Sequence, residues 1–248
     1  MKFAITHEFK YRYDSPVRLS TQYLRLTPRD TVRQKVTGWK LDTPGAALRT
    51  TDGYGNVLHV LTIDKPVTEI SIEATGGVET SPALDEPSDF TGAPLPPLLF
   101  LRPTGLTALD QARRGFAEKF RGAAETHAGL RALASAISEK YRARSAADAA
   151  HEFIGCCRHL GVPARYVSGY VYARQEHNNG VAMHAWAEAW VAARWRSFDI
   201  AHDCAVGEAH IKIAVGADYL DACPVRGVRV GGGAETLLAQ AHVEAAQQ

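Results

Sequence analysis

Three residue types in the second half of the chain could together make a thiol nucleophile. The stretch "HEFIGCCRHLGVPARYVSGY" carries the adjacent Cys156 and Cys157, "MHAWAEAW" carries His184, and "WRSFDIAHD" carries Asp199. A thiol attacks a carbonyl once a histidine has taken its proton and a third group has fixed the imidazole tautomer. Such a thiol belongs in the first turn of a helix, where unpaired backbone N–H groups stabilise the anion. Cys156 does not meet that requirement. The helix cap is expected at Ser145, so Cys156 lies about 15 Å along the axis from Ala146. It also shares a face with Ala149, Phe153 and Leu160 at helical spacing, which is a core stripe. Cys156 and Cys157 are therefore read as small buried hydrophobes.

His184 and Asp199 are better placed. "HAWAEAW" and "RSFDIA" read as antiparallel strands joined by a short turn around "AAR". Partners in such a pair keep a nearly constant index sum, so His184 and Asp199 come within one or two residues of lying opposite, close enough to touch. An aspartate there fixes the tautomer of the imidazole and stabilises its cation. Trp186 and Trp190 share the His184 face by strand alternation and are candidates to line a substrate cleft or simply to pack. Glu188, on the same face, is read as a solvated or paired acid. Arg165 is open to a structural ion pair or to substrate binding. Two groupings could be read as metal ligands: His151, Cys156, Cys157 and His159, and separately His202, Cys204 and His210. "CCRH" has no zinc-site spacing, and no metal or cofactor is assigned. Ser145 is read as a cap and Ser168 as a strand residue rather than as nucleophiles.

The elements that must position these groups follow from periodicity. Phe3, Ile5, Phe9, Tyr11 and Tyr13 alternate with polar residues, the period of a half-buried strand. "YLRLTP", "VTGWKLDTPG", "VLHVLTI" and "VTEISIEATG" continue the pattern with no helix between them, which predicts an antiparallel sandwich-like module over residues 1–80. Residues 81–105 are rich in proline and read as a linker. Residues 106–248 form a second unit. Three helices are expected, "TALDQARRGFAEKF" with Thr107 and Asp110 as cap, "LRALASAISEKY", and "SAADAAHEFIGCCRHLG" with Ser145 and Asp148 as a capping box. Strands follow, and the tail "AQAHVEAAQQ" is expected to fray. The overall class is α+β.

The 248 residues carry net charge +1 and are 46% hydrophobic, so charge gives no case for nucleic acid or an anionic membrane as partner. No apolar run reaches the roughly 20 residues of a membrane span. The N-terminus lacks a signal-peptide h-region, and four cysteines are too few for a disulfide framework. Reduced thiols and a cytoplasmic address are the expectation.

"CRHLGVPARYVSGYVY", "HAWAEAW" and "SFDIAHD" together resemble the transglutaminase-like superfamily. "YRYDSPVRLSTQYLRLTPRDT", "GNVLHVL" and "HIKIAVGADYLDACPVRGVRVGGG" resemble its bacterial members. The resemblance implies a papain-like core with a Cys-His-Asp triad, acyl-transfer or amide-hydrolysis chemistry, and a protein or peptide partner bearing amide side chains. It makes His184 the triad histidine and Asp199 the triad aspartate. The cysteine does not carry over. Family members have Gly-Val-Cys-x-Asp where this chain reads "RSAAD". Without a gap, Ala146 falls on the nucleophile position and Asp148 on the aspartate two places later. The alternative is that the motif is deleted, which the short run from "SEKYRAR" to "HEFIG" favours. Either way the usual cysteine is absent, and impaired or absent catalysis is expected. The alternative is an active hydrolase or acyltransferase with a displaced thiol, Cys156 or Cys157.

Overall fold

The computed structural model describes residues 1–82, 95–140, 145–174 and 179–245. Among these, the strands form two antiparallel sheets. The first is built on β1 (Lys2–Leu24), with β2 (Gln34–Asp42), β3 (Ala47–Thr51), β4 (Val57–Ile63) and β5 (Val67–Thr80) in the order β2-β5-β1-β4-β3. Alternation along β1 sends Phe3, Ile5, Phe9, Tyr11 and Tyr13 inward, as the sequence pattern requires. Its register with β5 shifts between Arg12 and Val17, so its two halves pair with different neighbours.

Helix α1 (Gln111–Glu118), helix α2 (His127–Lys140) and helix α3 (Ala146–His159) come next. Asp110 caps α1 by accepting from the Arg113 backbone N–H. Thr107 does not share that role. Its hydroxyl accepts instead from the Thr104 N–H and from Arg158. The expected capping box of α3 is present: Ser145 Oγ accepts from the Asp148 N–H at 3.2 Å and donates to the Asp148 carboxylate at 2.8 Å. The second sheet has the order β10-β6-β7-β8-β9, from β6 (Ala164–Arg174), β7 (Asn179–Val191), β8 (Arg194–Asp199), β9 (Cys204–Ala205) and β10 (His210–Gly216). A short helix, α4 (Tyr219–Ala222), follows.

Two expectations are corrected here. The final strands, β11 (Val225–Gly231) and β12 (Glu235–Ala245), do not belong with the sheet of the second unit. They pair with β1 in the first. Nor does the tail fray within the described residues, since β12 is paired with β1 through Ala245. The physical reason is that β1 is long enough to need partners on both sides, and the C-terminal hairpin covers what would be its open edge.

The two sheets share one core: Phe3, Ile5 and Val78 pack with Leu130, Leu133, Phe153, Tyr170 and Ile211. Edge strand β10 is closed by side-chain amides from the first sheet. Gln34 exchanges two hydrogen bonds with the Lys212 backbone at 2.8 and 2.9 Å, and Asn56 exchanges two with Val215 at 2.7 and 2.8 Å. These amides imitate a strand partner and satisfy backbone groups that would otherwise be buried unpaired. Residues 83–94 of the expected linker lie outside the described residues. The remainder forms a 3-10 turn, Pro97–Leu101, whose Phe100 is buried against Trp195 and Tyr54.

Candidate functional site

The β7–β8 hairpin sets the site. Its turn is Ala192–Ala193, both at positive φ (52° and 59°), the hand that matches strand twist. Ala187 pairs with Phe198, so Asp199 lies diagonal to His184. Ala185, Ala187, Ala189 and Phe198 pack under the helices, while Trp186 and Glu188 point to the opposite face. His184 Nε2 lies 2.9 Å from Asp199 Oδ2, as the index sum predicted.

Asp199 holds more than one imidazole. His202 Nδ1 lies 2.8 Å and His210 Nε2 3.0 Å from the same Oδ2, and the His202 N–H donates to Oδ1 at 3.2 Å. Asp199 has no exposed surface. Burial alone would raise its pKa, but hydrogen bonds from His184, His210 and His202 override burial and hold it well below the usual carboxylate range. One tautomer can be assigned from geometry. His210 Nδ1 accepts from the Gly207 N–H, so Nε2 carries the proton and donates to Asp199. His202 stacks on His184 with ring centroids 4.6 Å apart and is itself half exposed.

His202, Cys204 and His210, considered in the sequence only as metal ligands, thus converge on Asp199. Ligand atoms of His184, Asp199 and His202, and of Asp199, Cys204 and His210, lie within 4.8 Å of one another, a spacing a metal ion could use. Coordination by His210 Nε2 would require breaking its bond from Gly207, because a neutral imidazole has one bare nitrogen. His151 and His159 join neither group: His151 stacks on Tyr166 and accepts from the Tyr219 N–H, and His159 pairs with Glu118.

The other candidates fall out as structure. Trp186 is fully buried, beneath Val167 and Val215 and against Gly169, where a side chain would strike Trp186 and the Ile211 carbonyl. Trp190 lies edge-on to Trp195, centroids 5.5 Å apart. Glu188 is not a surface acid: it has no exposure and is clamped by Arg165 at 2.5–2.6 Å, by Lys212, and by Ser197 at 3.2 Å. Arg165 therefore makes a buried ion pair and also lies over the Trp195 ring. Ser168 donates to the Ala222 carbonyl inside the core.

No cysteine among the four is poised as a thiolate. Cys156 and Cys157 are fully buried in the body of α3. Burial pushes Cys156 up to about 12 and Cys157 well above the ordinary thiol value. Cys204 Sγ lies 3.9 Å from Asp199 Oδ2. Burial, and then that carboxylate, push it up to about 11. Burial also raises Cys223.

The start of α3 lies toward the His184 end of β7, over the sheet face that carries Ala185 and Ala187. Its C-terminal end adjoins the start of β6, with the Trp190 N–H on the Pro163 carbonyl. Fourteen helical residues span about 21 Å, and Ala189 to His184 spans about 17 Å of strand. The first turn of α3 therefore reaches the His184 end of β7, and Ala146 and Met183 pack on the same core. Ala146 falls on the stripe of Ala149, Ala150, Phe153 and Cys157, the face turned to the sheet.

Comparison with known proteins agrees with this arrangement. Residues 3–79 match the bacterial transglutaminase-like N-terminal region and residues 118–200 the transglutaminase-like superfamily. An uncharacterized protein of Mycobacterium leprae is 28% identical over 95% of this chain and 96% of its own length. One of Mycobacterium tuberculosis is 29% identical over 92% and 87%. The crystal structure of a "Putative Cysteine Protease" from Cytophaga hutchinsonii shares the fold, with TM-score 0.73 at 22% identity over 98% of this chain and 89% of that one. With its His184–Asp199 pair on the second sheet and its β-rich N-terminal region, the chain belongs to the transglutaminase-like superfamily.

Proposed function

We propose that this protein binds an amide-bearing peptide or protein at a transglutaminase-like site without covalent turnover. The observation that carries the reading is Ala146. It is the first residue of an intact, Ser145-capped helix, and Asp148 follows two places later, as the ungapped motif requires. A methyl group cannot form the thioester through which this chemistry passes. His184 and Asp199 keep the geometry of base and orienter, and the four thiols are held protonated. All four are unpaired, which supports the cytoplasmic address. No helix among the described residues is long and apolar enough to cross a membrane.

The displaced-thiol alternative has little support, because Cys156 and Cys157 are buried and Cys204 lies on the carboxylate rather than at the start of a helix. The test is alkylation by iodoacetamide between pH 5 and 9. The native chain is expected to label slowly, and only as the pH approaches 9. Ala146→Cys is expected to add one site that labels at least ten times faster at pH 6, with that advantage lost in Ala146→Cys/His184→Ala. Rapid labelling of one native cysteine at pH 6 would refute the reading.

A further inference from the structure

We propose that the mouth of the curved first sheet is a second binding site, for a small organic carboxylate. The carboxylate end meets Arg49 and the Trp39 indole N–H, and the hydrocarbon body lies on Val36, Leu41 and Val57. β2 and β3 stand at opposite ends of the strand order, yet both line one cavity. Trp39 and Leu41 come from β2, Arg49 from β3, and Val57 and His59 from β4, with residues 27–30 across the opening. The sheet therefore curls until its two ends face each other, as at a barrel mouth, where ligand sites concentrate. The cavity measures about 590 Å³, the size that holds a small molecule.

Part of its polar lining is unspent. Seven buried side-chain polar atoms among the described residues have no partner in the protein, and three of them are here: Trp39 Nε1, His59 Nδ1 and Thr27 Oγ1. Buried polar groups are nearly always paired, so three around one cavity point to a ligand that supplies the partners. An indole N–H can only donate. Charge gives the sign of the ligand. Arg49 lines the cavity, and among the described lining residues the one acid, Asp30, already accepts from the Val36 N–H with its Oδ1. Burial and then the Arg49 charge lower the pKa of His59, so it adds hydrogen bonding rather than charge. A guanidinium fork matches a planar carboxylate, and the aliphatic wall matches a hydrocarbon body rather than a second anionic group.

The full-length chain, labelled with nitrogen-15, provides the test. Its Trp39 indole resonance is assigned by comparison with Trp39→Phe. Phenylacetate is expected to move that resonance saturably. Arg49→Gln, at an exposed position on an edge strand, is expected to weaken the binding at least tenfold and leave the rest of the spectrum in place. Four results would overturn the proposal: no movement with phenylacetate, equal movement with benzyl alcohol, tighter binding of inorganic phosphate than of phenylacetate, or undiminished binding by Arg49→Gln.

Discussion

Two buried carboxylates stand on the second sheet, and their partners differ in kind. Glu188 and Asp199 both have no exposure. Glu188 is paired with the guanidinium of Arg165 and the ammonium of Lys212. Asp199 is held by three imidazoles, the side chain whose ordinary pKa lies nearest neutrality. One arrangement fixes a strand in place and offers no proton to move. The other gathers imidazoles around one carboxylate oxygen, and one of them, His202, is half exposed. Burial and depressed pKa are thus shared by two sites, and the identity of the partners separates them.

The largest expected effect is on Glu188. Glu188→Gln removes the carboxylate charge that Arg165 and Lys212 share and is expected to cost about 3–5 kcal/mol in urea unfolding. The same change at the other site, Asp199→Asn, is expected to cost less, about 1–3 kcal/mol, because the imidazoles can be neutral. A smaller or equal cost for Glu188→Gln would break the comparison.

The acid dependence sharpens it. Both folded-state pKa values lie below those of the unfolded chain, near 4.3 for Glu and 3.9 for Asp. For Glu188, burial pushes the other way and is overridden by the charges of Arg165 and Lys212. Their stabilisation is present above about pH 4 and drains away as pH falls toward the folded values. Unfolding midpoints measured from pH 6 down to pH 2 should fall less steeply in either variant than in the native chain.

The smallest effect lies in the turn that brings the two carboxylate strands together. Ala192 and Ala193 occupy the left-handed region without the glycine or asparagine that tolerates it. Ala192→Asn with Ala193→Gly is expected to raise stability by about 1 kcal/mol, seen as a higher melting temperature, and to leave His184–Asp199 contact unchanged.

Much of the fold was legible in the sequence because it rests on local periodicity and caps. β1 alternates, α3 begins at its Ser145–Asp148 box, and the β7–β8 index sum brings His184 to Asp199. The same local rules showed that α3 starts with alanine and that Cys156 and Cys157 lie on its buried faces. Long-range pairing was not legible. That β11 and β12 return to β1, that Gln34 and Asn56 close the β10 edge, and that His210 reaches Asp199 all depend on which surfaces meet. Glu188 shows the same limit: alternation gave its face, but only the approach of Arg165 and Lys212 made that face an interior. Sequence fixes which side chains share a strand or helix face, because backbone geometry sets the repeat. Tertiary structure decides what that face meets, because burial and pairing are properties of two surfaces together.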